Sequence, residues 1–131
     1  MSNKAHYQRL EKLYYSAPIN KDFFEGTKIV VTEDTAKIEL KVKEKHQHAG
    51  NAMHGAVYFK LMDDAAYFAS ASVEEEFFIL TKCYQIEFLR PVVNGRLKAV
   101  GTVVSQDDEE TVAIAELFNG QGKLVGRGKG V

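Results

Sequence analysis

Two hydrophobic periods divide this chain, and the switches between them lay out its elements. Across Lys4–Ser16, Tyr7, Leu10, Leu13 and Tyr14 recur at helical spacing among Gln, Arg, Glu and Lys, predicting a short amphipathic N-terminal helix that stops at Pro18. Residues 19–24 read as a turn of helix or an irregular segment that lays Phe23 and Phe24 on the body, and Gly26 ends it. The period then becomes two. Residues 27–34 (TKIVVTED) read as a strand. Residues 35–43 alternate with Ala36, Ile38, Leu40 and Val42 on one face and Lys37, Glu39, Lys41 and Lys43 on the other, as a half-buried antiparallel strand does. The pair forms a hairpin turning at Glu33-Asp34.

The aperiodic EKHQHAGNAM is a loop leading to the dominant feature, residues 54–73, HGAVYFKLMDDAAYFASASV. At about 100° per residue its apolar side chains sweep a broad arc interrupted by Ser72. Lys60, Asp63, Asp64, Tyr67 and Ser70 share the remaining side. A helix this apolar belongs in the core, so two acids at its centre require a reason. The acids at 74–76 would oppose the dipole of a helix C-terminus, and read as solvated residues beyond it.

Residues 77–89 predict a long strand closed by Arg90-Pro91, with Tyr84, Ile86 and Phe88 on one face. Val93-Asn94-Gly95 supplies a turn into strands at 96–105 and 111–118, joined by the acidic turn QDDEE, and NGQG leads to a last strand at 123–131. Gly126, Gly128 and Gly130 in that strand suggest bulging or close approach by another backbone. The order is helix, two strands, a long buried helix, then four strands in meander. Curling one antiparallel sheet around that helix is the simplest way to bury it, giving an α+β fold. The expected organisation is one domain over residues 1–131, with an N-terminal helical segment at 1–26 and a core at 27–131.

The chain has 131 residues, enough for a core without staples. Cys83 is its only cysteine, so no intrachain disulfide can form, and with no leader or long apolar run the expected location is the cytoplasm, with no membrane partner. Seventeen basic and 18 acidic residues are interspersed, for a net charge of −1, which argues against a nucleic-acid partner.

An apolar helix wrapped by an antiparallel sheet, entered through His-Gly with an acid nine positions after the His, resembles the hotdog-fold acyl-CoA thioesterases, specifically the PaaI-like group. The family pattern is His-Gly-Gly, several apolar positions, Leu, a small or apolar residue and Asp; here it stands as His54, Gly55, Ala56, 57–60, Leu61, Met62, Asp63. IEFLRPVVNGRL, a strand ending in Pro with a Gly shortly after, is a second family-like feature. Two departures stand out. Ala56 replaces the second Gly, and the Asn that many members carry six positions before the His is His48, with Asn51 shifted into the loop.

Thioester hydrolysis needs donors aimed at the carbonyl oxygen as it becomes an oxyanion, and a base or nucleophile at the carbonyl carbon. The free amides of a helix N-terminus at Gly55 and Ala56 can supply the first, and a desolvated Asp the second. Periodicity does not choose between Asp63 and Asp64. The resemblance favours Asp63, gives the oxyanion role to the Gly55 amide behind His54, and matches Thr81 to a hydroxyl near the acid. His48 or Asn51 would take the water-orienting role. The resemblance further implies that the acid faces the oxyanion amide of a neighbouring subunit, hence a homodimer or a dimer of dimers. No metal or redox cofactor is expected, coenzyme A entering as part of the substrate.

Blander readings compete at each position. His54 could be a helix-capping residue, one Asp a satisfied core carboxylate, and Cys83 a small hydrophobe. His46, His48 and His54 share one loop but lack metal-ligand spacing. GRGKG lacks the following helix of a phosphate loop. Arg90, Arg96, Lys98 and Lys123 could meet the phosphates of coenzyme A, but exposed strand residues of this kind are usually just solvated. A non-catalytic acyl-CoA-binding module and an acyl-thioester hydratase or dehydratase are the functional alternatives.

Overall fold

A computed structural model describes residues 3–75 and 78–131. In chain order the elements are α1 (Lys4–Ser16), α2 (Pro18–Lys21), β1 (Lys28–Thr32), β2 (Thr35–Lys41), α3 (Gly55–Ser72), β3 (Tyr84–Phe88), β4 (Arg96–Gln106), β5 (Thr111–Phe118) and β6 (Leu124–Gly130), with a 3₁₀ turn at Glu44–His46. One six-stranded antiparallel sheet, ordered β1-β2-β4-β5-β6-β3, curls around α3, the expected hotdog architecture. Among the described residues no helix is long and apolar enough to cross a membrane.

Local chemistry accounts for the element ends. Asn3 caps α1, its side-chain oxygen accepting from the His6 amide, and Pro18 sits at the first position of α2, where its missing N–H is not needed. The β1–β2 hairpin turns at Glu33-Asp34, and Asp34 takes the left-handed conformation (φ 55°) that Asp tolerates. His54 caps α3 through its Nδ1, which accepts from the Ala56 amide at 2.9 Å.

Helix α3 can lie close to the sheet because a row of small residues crosses beneath it. Ala36 pairs with Gly101, Gly101 with Ala115 and Ala115 with Gly128, and Ala65, Ala66 and Ala69 of α3 are buried on the facing side. At Gly101 a Cβ would stand 2.2 Å from the Ala65 carbonyl oxygen, so only glycine fits. Bulkier Ile38, Leu40, Leu97, Leu117 and Val125, all at most 2% exposed, fill the space flanking this row.

Two expectations change. The strand expected at 77–89 forms only over Tyr84–Phe88; Glu76 and Phe77 lie outside the described residues, and 78–83 are not part of the strand, although Cys83 exchanges backbone hydrogen bonds with Val131 just before it. Nor do the last four strands run as a meander. β4, β5 and β6 do, but β3 crosses to the far edge and pairs with β6, Tyr84 opposite Gly130 and Phe88 opposite Gly126. The reason lies in the β6 glycines. The Tyr84 ring covers them closely enough that a Cβ on Gly128 would stand 2.4 Å from it and one on Gly130 2.9 Å. The close approach read from those glycines is therefore made mainly by a side chain.

Gly101→Ala is expected to destabilise the fold by about 3 kcal/mol in urea unfolding, since the methyl meets immovable helix backbone. Gly120→Ala, whose Cβ would meet nothing closer than 3.6 Å, serves as the neutral comparison.

Candidate active site

The two acids at the centre of α3 have different fates. The Lys60 ammonium, one turn earlier, holds Asp64 at 2.6 Å. That ammonium is itself enclosed by the N-terminal segment: it lies 4.5 Å from the centre of the Phe24 ring and 4.9 Å from that of Tyr14, and donates to Asn20 Oδ1. Asp64 is thus committed to a buried cluster, which was not legible from Lys60's place on the polar side of the helix.

Asp63 instead opens onto a cavity of about 910 Å³, where the Thr81 hydroxyl donates to its Oδ1 at 2.9 Å. Burial raises the pKa of Asp63, while the Thr81 hydrogen bond and the charge of Lys60 pull it back. Burial also raises Asp64, against the pull of Lys60. A carboxylate that is half-buried, more basic than usual and bonded to a single side-chain hydroxyl is suited to accept a proton from water or to attack a carbonyl carbon. The geometry thus separates the two acids that periodicity left equivalent.

Around Asp63 stand two phenols that were not among the expected site residues, Tyr67 from the polar side of α3 and Tyr84 from β3. Tyr67 donates to the Ile79 carbonyl at 2.8 Å, which ties the segment after α3 back onto the helix. The Tyr84 hydroxyl is buried without a hydrogen-bond partner among the described residues. Burial chiefly, and the nearby charge of Asp63, raise the Tyr84 pKa, so this phenol stays protonated.

The other expected residues gather at the start of α3. Because His54 Nδ1 occupies the Ala56 amide, only the Gly55 amide remains without an acceptor among the described residues, which narrows the pair of free amides expected there to one. Gly55 is half-buried, and a Cβ on it would meet the Phe88 ring of β3 at 3.2 Å. His48 and His54 are exposed, with ring centres 6.4 Å apart. Asn51 turns the loop with φ 63°, its amide donating to the His48 carbonyl at 3.0 Å.

His46 does not join them. It is buried on Phe24, its Nε2 bonding the Phe23 carbonyl and its Nδ1 accepting from the Lys43 amide, while its own carbonyl accepts from the His54 amide at 2.9 Å. This histidine holds the loop that presents Gly55. Burial lowers its pKa and keeps the ring in the neutral form that these bonds need. Among the described residues no group of three or more His, Cys, Asp or Glu side chains could share a metal ion. Cys83, expected to be a buried hydrophobe, is exposed, since the segment before β3 lies outside the core.

The candidate residues therefore fall into two separate clusters, two candidate half-sites. Asp63 and Thr81 form one; Gly55, His54, His48 and Asn51 form the other, eight residues or about 12 Å away along the helix axis.

Comparison with known proteins identifies the family of the chain. Residues 50–126, more than half of the chain and including Asp63, Thr81, Gly55, His54 and Asn51 but not His48, match the family model described as the thioesterase superfamily. A protein of Archaeoglobus fulgidus described as a candidate esterase is 31% identical over 99 residues, 75% of this chain; the match spans 63% of that relative's length. Among solved structures, the PaaI protein of the E. coli phenylacetic acid degradation operon superposes with a TM-score of 0.86 at 25% identity, covering 97% of this chain and 91% of that one. Zebrafish thioesterase superfamily member 2 shares the fold with a TM-score of 0.82 at 18% identity, covering 99% and 96% of the two chains.

Replacing Thr81 by Val removes the hydrogen bond that favours the ionised Asp63. The Asp63 carboxyl, followed by carbon-detected NMR titration, is then expected to titrate at higher pH than in the native protein, and an unchanged or lower midpoint would contradict this role of Thr81.

Proposed function

Because the chain belongs to the thioesterase superfamily, within its PaaI-like hotdog group, we propose that it is an acyl-CoA thioesterase working across a dimer interface. The observation that carries this reading is that Asp63, alone of the two core acids, lines the cavity with a carboxylate free of any ion pair among the described residues. In the proposed reaction Asp63 takes a proton from water as the water oxygen attacks the thioester carbonyl carbon. Charge builds on the carbonyl oxygen, which the Gly55 amide at the positive end of α3 stabilises. Collapse breaks the carbon–sulfur bond, and the leaving thiolate takes the proton that Asp63 had accepted. Thr81 orients the carboxylate, and His54, His48 and Asn51 are positioned at the N-terminal half-site to hold water or the carbonyl.

About 12 Å of helix separates the two half-sites, so one chain cannot close this site on itself. Two features support completion by a second copy. β3 is an edge strand with one side unpaired, and Phe88 and Leu89 at its end are 55% and 42% exposed. The Phe88 ring also lies beside Gly55, where a Cβ would stand 3.2 Å from it, so an interface on this edge would carry the free amide with it. Cytoplasmic location and independence from metal or redox cofactors are part of the same proposal.

Thiol release from a panel of short, long and aromatic acyl-CoAs tests the activity. Asp63→Asn is expected to lower kcat/KM by at least about 10²-fold, whereas Asp64→Asn should chiefly lower the melting temperature. Binding without turnover by the native protein would replace the enzyme with a binding module. Gly55→Pro removes the amide at a helix position that accepts proline. Mixing inactive Asp63→Asn with inactive Gly55→Pro and allowing subunits to exchange is expected to restore about a quarter of native activity, from one intact site in each mixed dimer. No recovery in a mixture shown to exchange would refute the shared site.

A further inference from the structure

The cavity at Asp63 has chemically different ends. Asp63 and Thr81 mark one end, and Ala66, Tyr67, Phe78, Ile79 and Leu80 supply an apolar wall, Phe78 and Leu80 being about four-fifths exposed. Glu74 lies eleven residues beyond Asp63, about 16 Å along α3 and its continuation. The β4–β5 turn sits beside it, since Gln106 Nε2 donates to the Val73 carbonyl at 3.3 Å, and it brings Asp107, Asp108, Glu109 and Glu110 to the same lining.

Among the described residues, five carboxylates besides Asp63 therefore meet one ammonium, that of Lys82, which pairs with Glu110. Asp107 accepts from the Glu109 and Glu110 amides, bonds that lower its pKa and keep it ionised. Glu74, Asp108 and Glu109 have no cationic partner among the described residues, and the negative end of the α3 dipole points the same way. The other end of α3 has opposite character. Tyr58 donates to the Arg90 carbonyl at 2.7 Å, placing Arg90 beside the first turn, exposed and without an acid partner among the described residues. A substrate whose carbonyl bridges Asp63 of one copy and Gly55 of another has a polyanionic arm, carrying the phosphates, and an acyl arm. Only the acyl arm can lie along five carboxylates without severe repulsion.

Given the proposed acyl-CoA hydrolase activity, on which this step rests, we infer that the acyl group occupies the cavity with its distal end against the acidic β4–β5 turn. The protein then hydrolyses thioesters of uncharged or cationic acyl groups and discriminates against acyl groups ending in a carboxylate. Glu74 and the Asp107–Glu110 turn are its specificity-determining residues.

Three CoA thioesters of similar length test this: 5,5-dimethylhexanoyl, its cationic isostere 4-(trimethylammonio)butanoyl, and adipoyl, which ends in a carboxylate. The expected kcat/KM for adipoyl is at least about tenfold below that of the neutral thioester, with the cationic one equal to it or better, and the gap narrows in high salt as the charges are screened. Asp108→Asn combined with Glu109→Gln should reduce the adipoyl discrimination severalfold, folding being checked by circular dichroism. Adipoyl turnover within threefold of the neutral thioester, or discrimination unchanged in the double variant, overturns the inference and leaves the hydrolase activity standing. Absence of thiol release from all three and from the broader panel overturns both.

Discussion

The contact of α3 with the sheet at Gly101 is the constraint on which the rest of the molecule depends. A helix normally keeps side chains between its backbone and its neighbours, but here the Ala65 carbonyl reaches the sheet backbone itself, over the row Ala36, Gly101, Ala115 and Gly128. That seating fixes the rotation of α3. With Met62, Ala65, Ala66 and Ala69 turned to the sheet, Asp63 and Asp64 must leave the helix on its flanks, one on either side of the buried stripe. Dispersion and close packing, not an ion pair, thus decide where the charges go.

Once the flanks are fixed, the surroundings make the two acids chemically different. On one flank the N-terminal segment closes over Lys60 with the rings of Tyr14 and Phe24, and Asp64 becomes the counter-ion of a shielded ammonium. A largely shielded pair of this kind adds little net stability because both ions lose much of their water, but removing one partner would strand the other. The other flank has no such cover. Asp63 faces the cavity with one hydroxyl for company, and its elevated pKa follows from partial burial without an adjacent cation bonded to it. Occupying the lysine with Asp64 is what leaves Asp63 available for chemistry.

The topology adds a second division. Because β3 crosses to pair with the glycine-rich β6, the edge of the sheet carries Tyr84 at the acid's end and Phe88 at the helix N-terminus. The same crossing draws the segment after α3 past Asp63, with Thr81 on the acid and Ile79 under Tyr67. At the opposite end His46, neutral and buried, holds the loop that presents Gly55. Each half-site is ordered by its own local bonds, and the helix length between them sets their separation within the chain.

Local periodicity and chain punctuation determined much of this. The bounds of α1, the Glu33-Asp34 hairpin and the His54 cap of α3 each depend on residues within a few positions of one another, and the sequence carries them in full. His-Gly followed by an acid at fixed helical spacing was likewise readable, with the family resemblance that favoured Asp63. What only the tertiary structure decided involves partners far apart in the chain. The place of β3 depends on Tyr84 finding Gly128 and Gly130, and strand order leaves no trace in a period of two. The separation of Asp63 from Asp64 depends on Lys60 meeting Tyr14, Asn20 and Phe24, at least 36 residues away, and the structural role of His46 depends on Phe23. Periodicity reports which side of an element an atom leaves from; what waits on that side is set by packing between distant segments, and that is where the carboxylate left free for chemistry was chosen.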